Sequence, residues 1–373
     1  MPGPVTDLIA EPAAQLFDIR RVPVQSCFHN LLMLVHTDKY SGLSDWIYDT
    51  HHALTPDEQK RHELIMIGLY YAVFPSQEWN SFPEYLNSLA SLPAEALRDR
   101  VLDMYLSLPV HPEVEASAER KTWDTTAVLK NEKDYMAFLS ERFPAGAVSN
   151  PVEKEAYQHL LNPPALQELI TSHLSMMWDR FLKKEWAQNE KVETASVEAF
   201  SKIDFTSMSK QEAIELISGQ PLPDDKWSCM IEDAERIVFI PNVHIGPYLG
   251  HLQTGETLYV IFGARSPEGL LTSVPSLGHT ELLVRLRALS DDNRLHILKL
   301  IAENGELKSQ DIIQNLDLSQ SAASRHLQQL SATGLLTERR CEGAKCYQLN
   351  TLRLEDTLEA LRSYLIHKAV ENG

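Results

Sequence analysis

Cysteine is scarce: four residues in 373, at positions 27, 229, 341 and 346. So few, so scattered, do not make a disulfide framework, and a reducing cytoplasm is the expected compartment. Long apolar runs are also missing. The longest, Leu64 to Phe74, has 11 residues, too short to cross a bilayer, so no membrane partner is expected. The first residues lack the basic-then-apolar order of a secretory leader. No His-Glu-x-x-His is present, because Met66 stands where the second histidine of His62-Glu63 would be. Cysteine pairs at zinc spacing, Gly-x-Ser-x-Gly, a phosphate-binding glycine-rich loop and a dinucleotide fingerprint are absent too. The chain is therefore read as no enzyme, with no catalytic residue, no metal and no cofactor expected. His29, His36, His51, His52 and His62 are read as core or surface histidines rather than ligands.

The length and a hydrophobic content of 43% are enough for two or three packed domains. The net charge of −18 at first argues against nucleic acid, but it is unevenly placed. Residues 279–373 hold 12 Lys and Arg against 13 Asp and Glu, whereas residues 1–278 hold 22 against 39. The acidity belongs to the N-terminal part and should repel DNA at long range.

Residues 1–262 read as a helical domain with a small β element. Residues 1–20 form a partly ordered lead-in, and helices are expected near 24–35 and 43–52. Thr55-Pro-Asp-Glu58 is a strong start signal, with Thr at the N-cap, Pro at N1 and Glu at N3, opening one long helix to Phe74. Further helices are expected from Phe82, from Ser91 to Leu106, and over 121–142 and 151–190, with a break at Pro109–Val114. Residues 190–225 are more polar and read as loop around Pro221 and Pro223. Arg236–Ile240 and Glu256–Phe262 are β-rich and read as paired strands, with a hairpin as one arrangement and Phe239, His244, Tyr248 and Tyr259 as candidate lining of an effector pocket. Residues 263–278 are the linker.

The most informative stretch is Glu306–Leu349. Ala323, Leu327 and Leu330 recur at i, i+4, i+7, so one stripe of a helix is apolar. Its other face carries Gln320, Ser321, Ser324, Arg325 and Gln328, the short donors and acceptors that reading base edges in a major groove requires. Ser319 sits at the N-cap, Gly334 closes the helix, and a basic hairpin with Arg339, Arg340 and Lys345 follows. The pattern is a helix-turn-helix with a wing. His326 joins the expected DNA-binding set on the same helix. Cys341 and Cys346 could face each other across the wing.

Residues from about Leu282 to Leu365 resemble the winged-helix domain of the ArsR/SmtB family of transcriptional regulators. The resemblance rests on Ala288-Leu-Ser-Asp-Asp-Asn-Arg-Leu-His-Ile-Leu298, with Asp292 where the family usually has Pro, on Leu318–Leu327, and on Gly334–Arg340. It covers about a quarter of the chain and implies a winged helix over 279–373, of α+β type. It also implies a homodimer through the first and last helices, here Leu282, Leu286, Leu354, Leu358, Leu361 and Leu365, and hence a palindromic double-stranded operator. The family's metal-ligand positions are occupied by Lys308 and Gln310 in one helix and by His367 alone in the last, so metal sensing at those places is not expected. The reading is a sequence-specific DNA-binding regulator, a repressor under the control of an unknown small-molecule effector or partner of the N-terminal domain. Two others stay open: a protein-interaction module, or an enzyme, whose winged helix no longer binds DNA.

Overall fold

The computed structural model describes residues 16–111, 122–144, 148–219, 222, 225–265, 279–341 and 344–370. The lead-in over 1–15, the far side of the break at Pro109–Val114, Pro221, Pro223, nearly all of the linker, Glu342–Gly343 and the side chain of His367 lie outside the described residues. The chain is mainly α and divides into two compact units. One comprises Val22–Val35 and Tyr48–Gln188; the other comprises Met1–Arg21, His36–Ile47 and Asn189–Gly373. This division departs from the expected boundary at 263–278, since residues 189–262 group with the winged helix.

The described regular elements of the first unit are all helices: α1 (Pro23–Leu34), most of α2 (Asp45–Ala53), α3 (Pro56–Glu63), α4 (Tyr70–Val73), α5 (Phe82–Ser91), α6 (Ala94–Ser107), α7 (Thr125–Val128), α8 (Glu132–Arg142), α9 (Asn150–Leu160), α10 (Pro163–Met177) and the start of α11 (Lys183–Phe200). Polar caps start several of them. Thr55 and Glu58 form the expected capping box, and Ser81, Asp124, Asn131 and Asn162 each accept a first-turn N–H. The expected single helix from Thr55 to Phe74 is interrupted by a π-helical turn over Leu64–Gly68. Gly68 in that turn lies so close to α9 that a Cβ there would be 3.0 Å from Val152 and from Ala156. A second π-helical turn, Trp178–Leu182, joins α10 to α11.

The second unit contains β1 (Phe17–Ile19), α12 (Lys210–Ser218), α13 (Asp225–Asp233), β2 (Arg236–Asn242), β3 (Gly250–Thr254) and β4 (Thr257–Gly263). It continues with α14 (His279–Leu289), α15 (Asp292–Asn304), β5 (Leu307–Lys308), α16 (Ser309–Leu316), α17 (Gln320–Ala332), β6 (Leu336–Cys341), β7 (Ala344–Leu349) and α18 (Thr351–Val370). The first sheet has the order β1-β2-β4-β3. β2 and β4 do pair, but in parallel, with Val238 opposite Tyr259, so the hairpin reading is corrected. The hairpin partner of β4 is β3, across Gly255-Glu256, where Gly255 has φ 56°. Ile237–Ile240 and Leu258–Phe262 are buried throughout, as strands covered on both faces should be.

Residues 190–225, read as more polar with loop marked by Pro221 and Pro223, carry the end of α11 and all of α12. Phe200, Ala213, Ile214 and Ile217 bury their few apolar side chains against the sheet, and a Ser209–Glu212 capping box starts α12. Apolar residues spaced for one face outweigh the polar average of the stretch.

Unit two is also tied together by charge. Glu281 on α14 lies 3.0 Å from Arg285, 3.3 Å from Arg353 on α18 and 3.7 Å from Arg265, just past β4. Arg265 and Arg353 donate in addition to the carbonyls of Ser218 and Gly219 at the end of α12. Burial pushes the Glu281 carboxyl up, but the three guanidiniums together hold it below the usual range, so it stays ionised.

The helical unit buries a different kind of polar network. Nε2 of His62 bonds the Leu31 carbonyl at 2.8 Å, and its Nδ1 is 3.0 Å from Nε2 of His173. Burial lowers these imidazoles to about 4 and about 3, keeping both neutral, which agrees with core histidines. Glu153 accepts from the Tyr135 hydroxyl at 3.0 Å, and burial raises its carboxyl from 4.5 to about 7. A raised carboxyl favours the fold while protonated, so its contribution is complete below 4.5 and is lost as pH rises through 7. Glu153→Gln copies the protonated form. At pH 8 it should stabilise the chain by on the order of 3 kcal/mol, and at pH 4 it should change little. Urea midpoints of both proteins at the two pH values test this, and equal differences at both would remove the titration from the account.

Candidate nucleic-acid interface

The C-terminal helices form around one apolar centre made of Ile297, Ile301, Ile312, Leu327, Leu330, Leu335 and Tyr347. Arg294 closes α14 by donating to the carbonyls of Ala288 at 2.6 Å and Arg287 at 2.8 Å, the task of a basic residue at a helix C-terminus. Asp291 caps α15, and Asp317, in the left-handed region with φ 50°, turns the chain from α16 into α17. Ser319 caps α17 by accepting from the Ala322 N–H at 3.2 Å. Ala323, Leu327 and Leu330 are buried, as their spacing requires.

The opposite face of α17 is open. Ser319, Gln320, Ser321, Ser324 and Gln328 are exposed and Arg325 is half-buried. The C-terminal end of the helix is not open: Gln329 is buried and accepts from the Ser41 hydroxyl at 2.6 Å, where Gly42, with φ 87°, leaves no room for a Cβ. His326 departs from expectation. It is 6% exposed, with Nδ1 3.7 Å from Asp291, and burial lowers its imidazole against the pull of that carboxylate. It follows Arg325 by one position, 100° round the helix, which turns it into the core and away from the open polar side.

The wing is an antiparallel pair, β6 with β7, and β5 adds a third strand in the order β5-β7-β6. Its cations are unequal. Arg339 forms two 2.6 Å bonds with Glu306, and Lys345 lies 2.6 Å from Glu338. Arg340 is exposed and has no ion-pair partner among the described residues, and the same holds for half-buried Arg325. Cys341 and Cys346 are joined as a disulfide with Cα atoms 6.1 Å apart.

The leucine stripes of α14 and α18 are differently turned from the expectation. Leu282 is buried within the chain, and Leu286, Leu354 and Leu361 are half-buried. Leu358 and Leu365 are 53% and 63% exposed, beside exposed Leu283, Leu352, Tyr364 and Ile366. The inner faces are set instead by Arg285, whose Nη1 lies 3.5 Å from the Thr357 hydroxyl, with Ala288 and Ala360. Of the four aromatics near the strands, Phe239 and Tyr259 are core, while His244 is buried between the Ser44 hydroxyl and the Asn189 amide. Tyr248 alone lines a cavity, of about 30 Å³, with Gly219, Arg265, Glu281, Thr333 and Arg353. That is room for one or two water molecules.

A capped recognition helix with a polar open face, a left-handed turn before it and a stranded wing behind it define a winged-helix DNA-binding regulator. Residues 291–338 match the family profile described as bacterial regulatory protein, arsR family. The chain is 35% identical over 85 residues to an arsenical resistance operon repressor of Staphylococcus aureus, covering 81% of that protein and 23% of this one. It is 34% identical over 79 residues to the transcriptional activator HlyU of Vibrio cholerae, covering 72% of that protein and 21% of this one. Through its C-terminal domain the chain belongs to the ArsR family. Among the described residues no helix is long and apolar enough to cross a membrane.

The position of His326 separates folding from recognition. His326→Ala should lower stability by about 1–3 kcal/mol, as deletion of a buried polar side chain does, and leave base preference unchanged. Melting curves and binding to matched and mismatched DNA check the two halves, and relaxed base preference at normal stability would return His326 to the interface.

Proposed function

We propose that the protein is a sequence-specific transcriptional repressor that binds a palindromic operator as a homodimer and answers to an effector or partner held by its N-terminal region. The observation that carries this is the exposed polar face of α17, with Ser319, Gln320, Ser321, Ser324 and Gln328 around Arg325, beside a buried apolar stripe. Short polar groups around one guanidinium suit base edges, and exposed Arg340, with Arg339 and Lys345, suits phosphate. The repressor sense follows the arsenical resistance repressors; the activator from Vibrio cholerae carries the same domain. The arsenical of those relatives' names is not carried over to the start of α16, where Lys308 and Gln310 stand. The cavity beside Tyr248 is too small for a drug-sized effector in the conformation seen. A second reading, a winged helix used for protein docking, draws on the local neutralisation of Arg339 and Lys345.

A gel-shift series in rising salt, using the DNA upstream of the protein's own coding sequence and random DNA of equal length, tests the proposal. Arg325→Ala should weaken specific binding by about 1–3 kcal/mol and relax base preference. Equal loss on both DNAs would reduce Arg325 to a phosphate contact, and no specific binding by the unaltered protein would favour docking.

The dimer is supported by the exposed apolar row Leu358, Leu365 and Ile366 on α18, with Leu283 on α14. Leu365→Glu would place a carboxylate on that row and should convert dimer to monomer in sedimentation of the full chain, with operator affinity falling in parallel. A mutant that remains dimeric would move the interface elsewhere.

A further inference from the structure

Behind the wing, three potential metal donors converge that the recognition of DNA does not use. Cys341, Cys346 and Glu306 each offer one ligand atom, and these atoms all lie within 4.8 Å of one another. The strand register explains the convergence. Cys346 on the central strand pairs with Arg339 on one side and Lys308 on the other, and Cys341, two residues beyond Arg339, lies diagonally across on the same face. Glu306 immediately precedes β5 and is brought in by the same pairing. Cys346 is buried and Cys341 half-buried.

We propose that, with the disulfide reduced, Cys341, Cys346 and Glu306 form a binding site for a thiophilic divalent cation of the zinc or cadmium class. Two thiolates exclude the hard ions magnesium and calcium, which take all-oxygen shells. Bond lengths of about 2.3 Å to sulfur and about 2.0 Å to oxygen place tetrahedral ligand atoms roughly 3.5–4 Å apart, so after reduction the two sulfurs must separate to that spacing, while Glu306 already offers an oxygen within 4.8 Å of both. The charges also close. Two thiolates and a carboxylate carry −3, the ion +2, and the Arg339 guanidinium that already grips Glu306 supplies the remaining +1. An ion taking one Glu306 oxygen shares that atom with an Arg339 hydrogen bond and weakens its hold, so occupancy reaches a cation of the wing. The disulfide and the ion compete for the same sulfurs. Two equivalents of a low-molecular-weight thiol open the bridge, giving two protein thiols and one oxidised disulfide of the reductant, and the protein thiols lose their protons on ligation.

The site is tested on the full chain without DNA, so its failure is separate from any failure of the DNA-binding reading. The protein is reduced with excess thiol, desalted under argon, confirmed to hold four free thiols, and titrated with cadmium while thiolate-to-cadmium charge-transfer absorption is followed. The expected result is one cadmium per chain, retained in Cys229→Ser and lost in both Cys341→Ala and Cys346→Ser. Glu306→Gln should weaken binding at least about tenfold, the smallest effect usually seen even for outer-shell partners. Half-exposed Cys341 makes Cys341→Ala informative should Cys346→Ser fail to fold, a point circular dichroism decides. Absence of the absorption in fully reduced protein, its survival in Cys341→Ala, its dependence on Cys229, or unchanged affinity in Glu306→Gln would each overturn the assignment.

Discussion

One buried carboxylate organises the C-terminal unit. Glu281 faces Arg265, Arg285 and Arg353, which come from the end of the first sheet, from its own helix and from the last helix. Two of these arginines also satisfy carbonyls at the end of α12, so four separate segments meet at one anion. Removing the carboxylate would leave three guanidiniums crowded in a shielded space, a loss on the scale of 3–5 kcal/mol for broken buried pairs. The geometry also makes α14 more than an appendage of the helix-turn-helix. It is the element through which the sheet and the winged helix become one body, and the contact of Ser41 with Gln329 extends that body to the recognition helix.

What the sequence disclosed was local. Thr55 with Glu58 and Ser319 ahead of Ala322 are caps whose partners lie within three residues, and both are found as read. The stripe Ala323, Leu327, Leu330 needed only helical spacing. Partners distant along the chain were not legible. β1 pairs with β2 across more than two hundred residues, and three residues carry too little pattern to announce a strand. The parallel pairing of β2 with β4 was hidden because β3, His251-Leu252-Gln253 between two turns, lacks β-rich character. Glu281 and Arg285 look like a surface pair at i, i+4, and only Arg265 and Arg353 make them interior. A histidine among serines and glutamines looks polar, whereas its angular position sets its side, and His326 is buried.

The family relationship covers the C-terminal quarter, yet that quarter does not stand apart. The sheet of β1–β4, with α12 and α13, shares its compact unit, while the long helical array from Val22 to Gln188 forms the other. Attachment through buried ion pairs and a buried glutamine differs from a domain tethered by a flexible linker. A ligand that shifted the end of α12 at Gly219 would act on Arg353, and so on α18, through contact rather than through a relay.

The pairing of Arg339 with Glu306 and of Lys345 with Glu338 bears on how such a regulator spends its time. On the proposed reading, in which the wing meets DNA, phosphates would have to displace these internal carboxylates before the wing contributed its full charge, and the acidic remainder of the chain would oppose long-range attraction. On that reading, occupancy of arbitrary genomic DNA would be kept low, and fewer molecules would be sequestered away from the true site. A gene controlled this way can be governed by a small number of protein copies, because the excess of competing sequence costs the regulator little of its free pool.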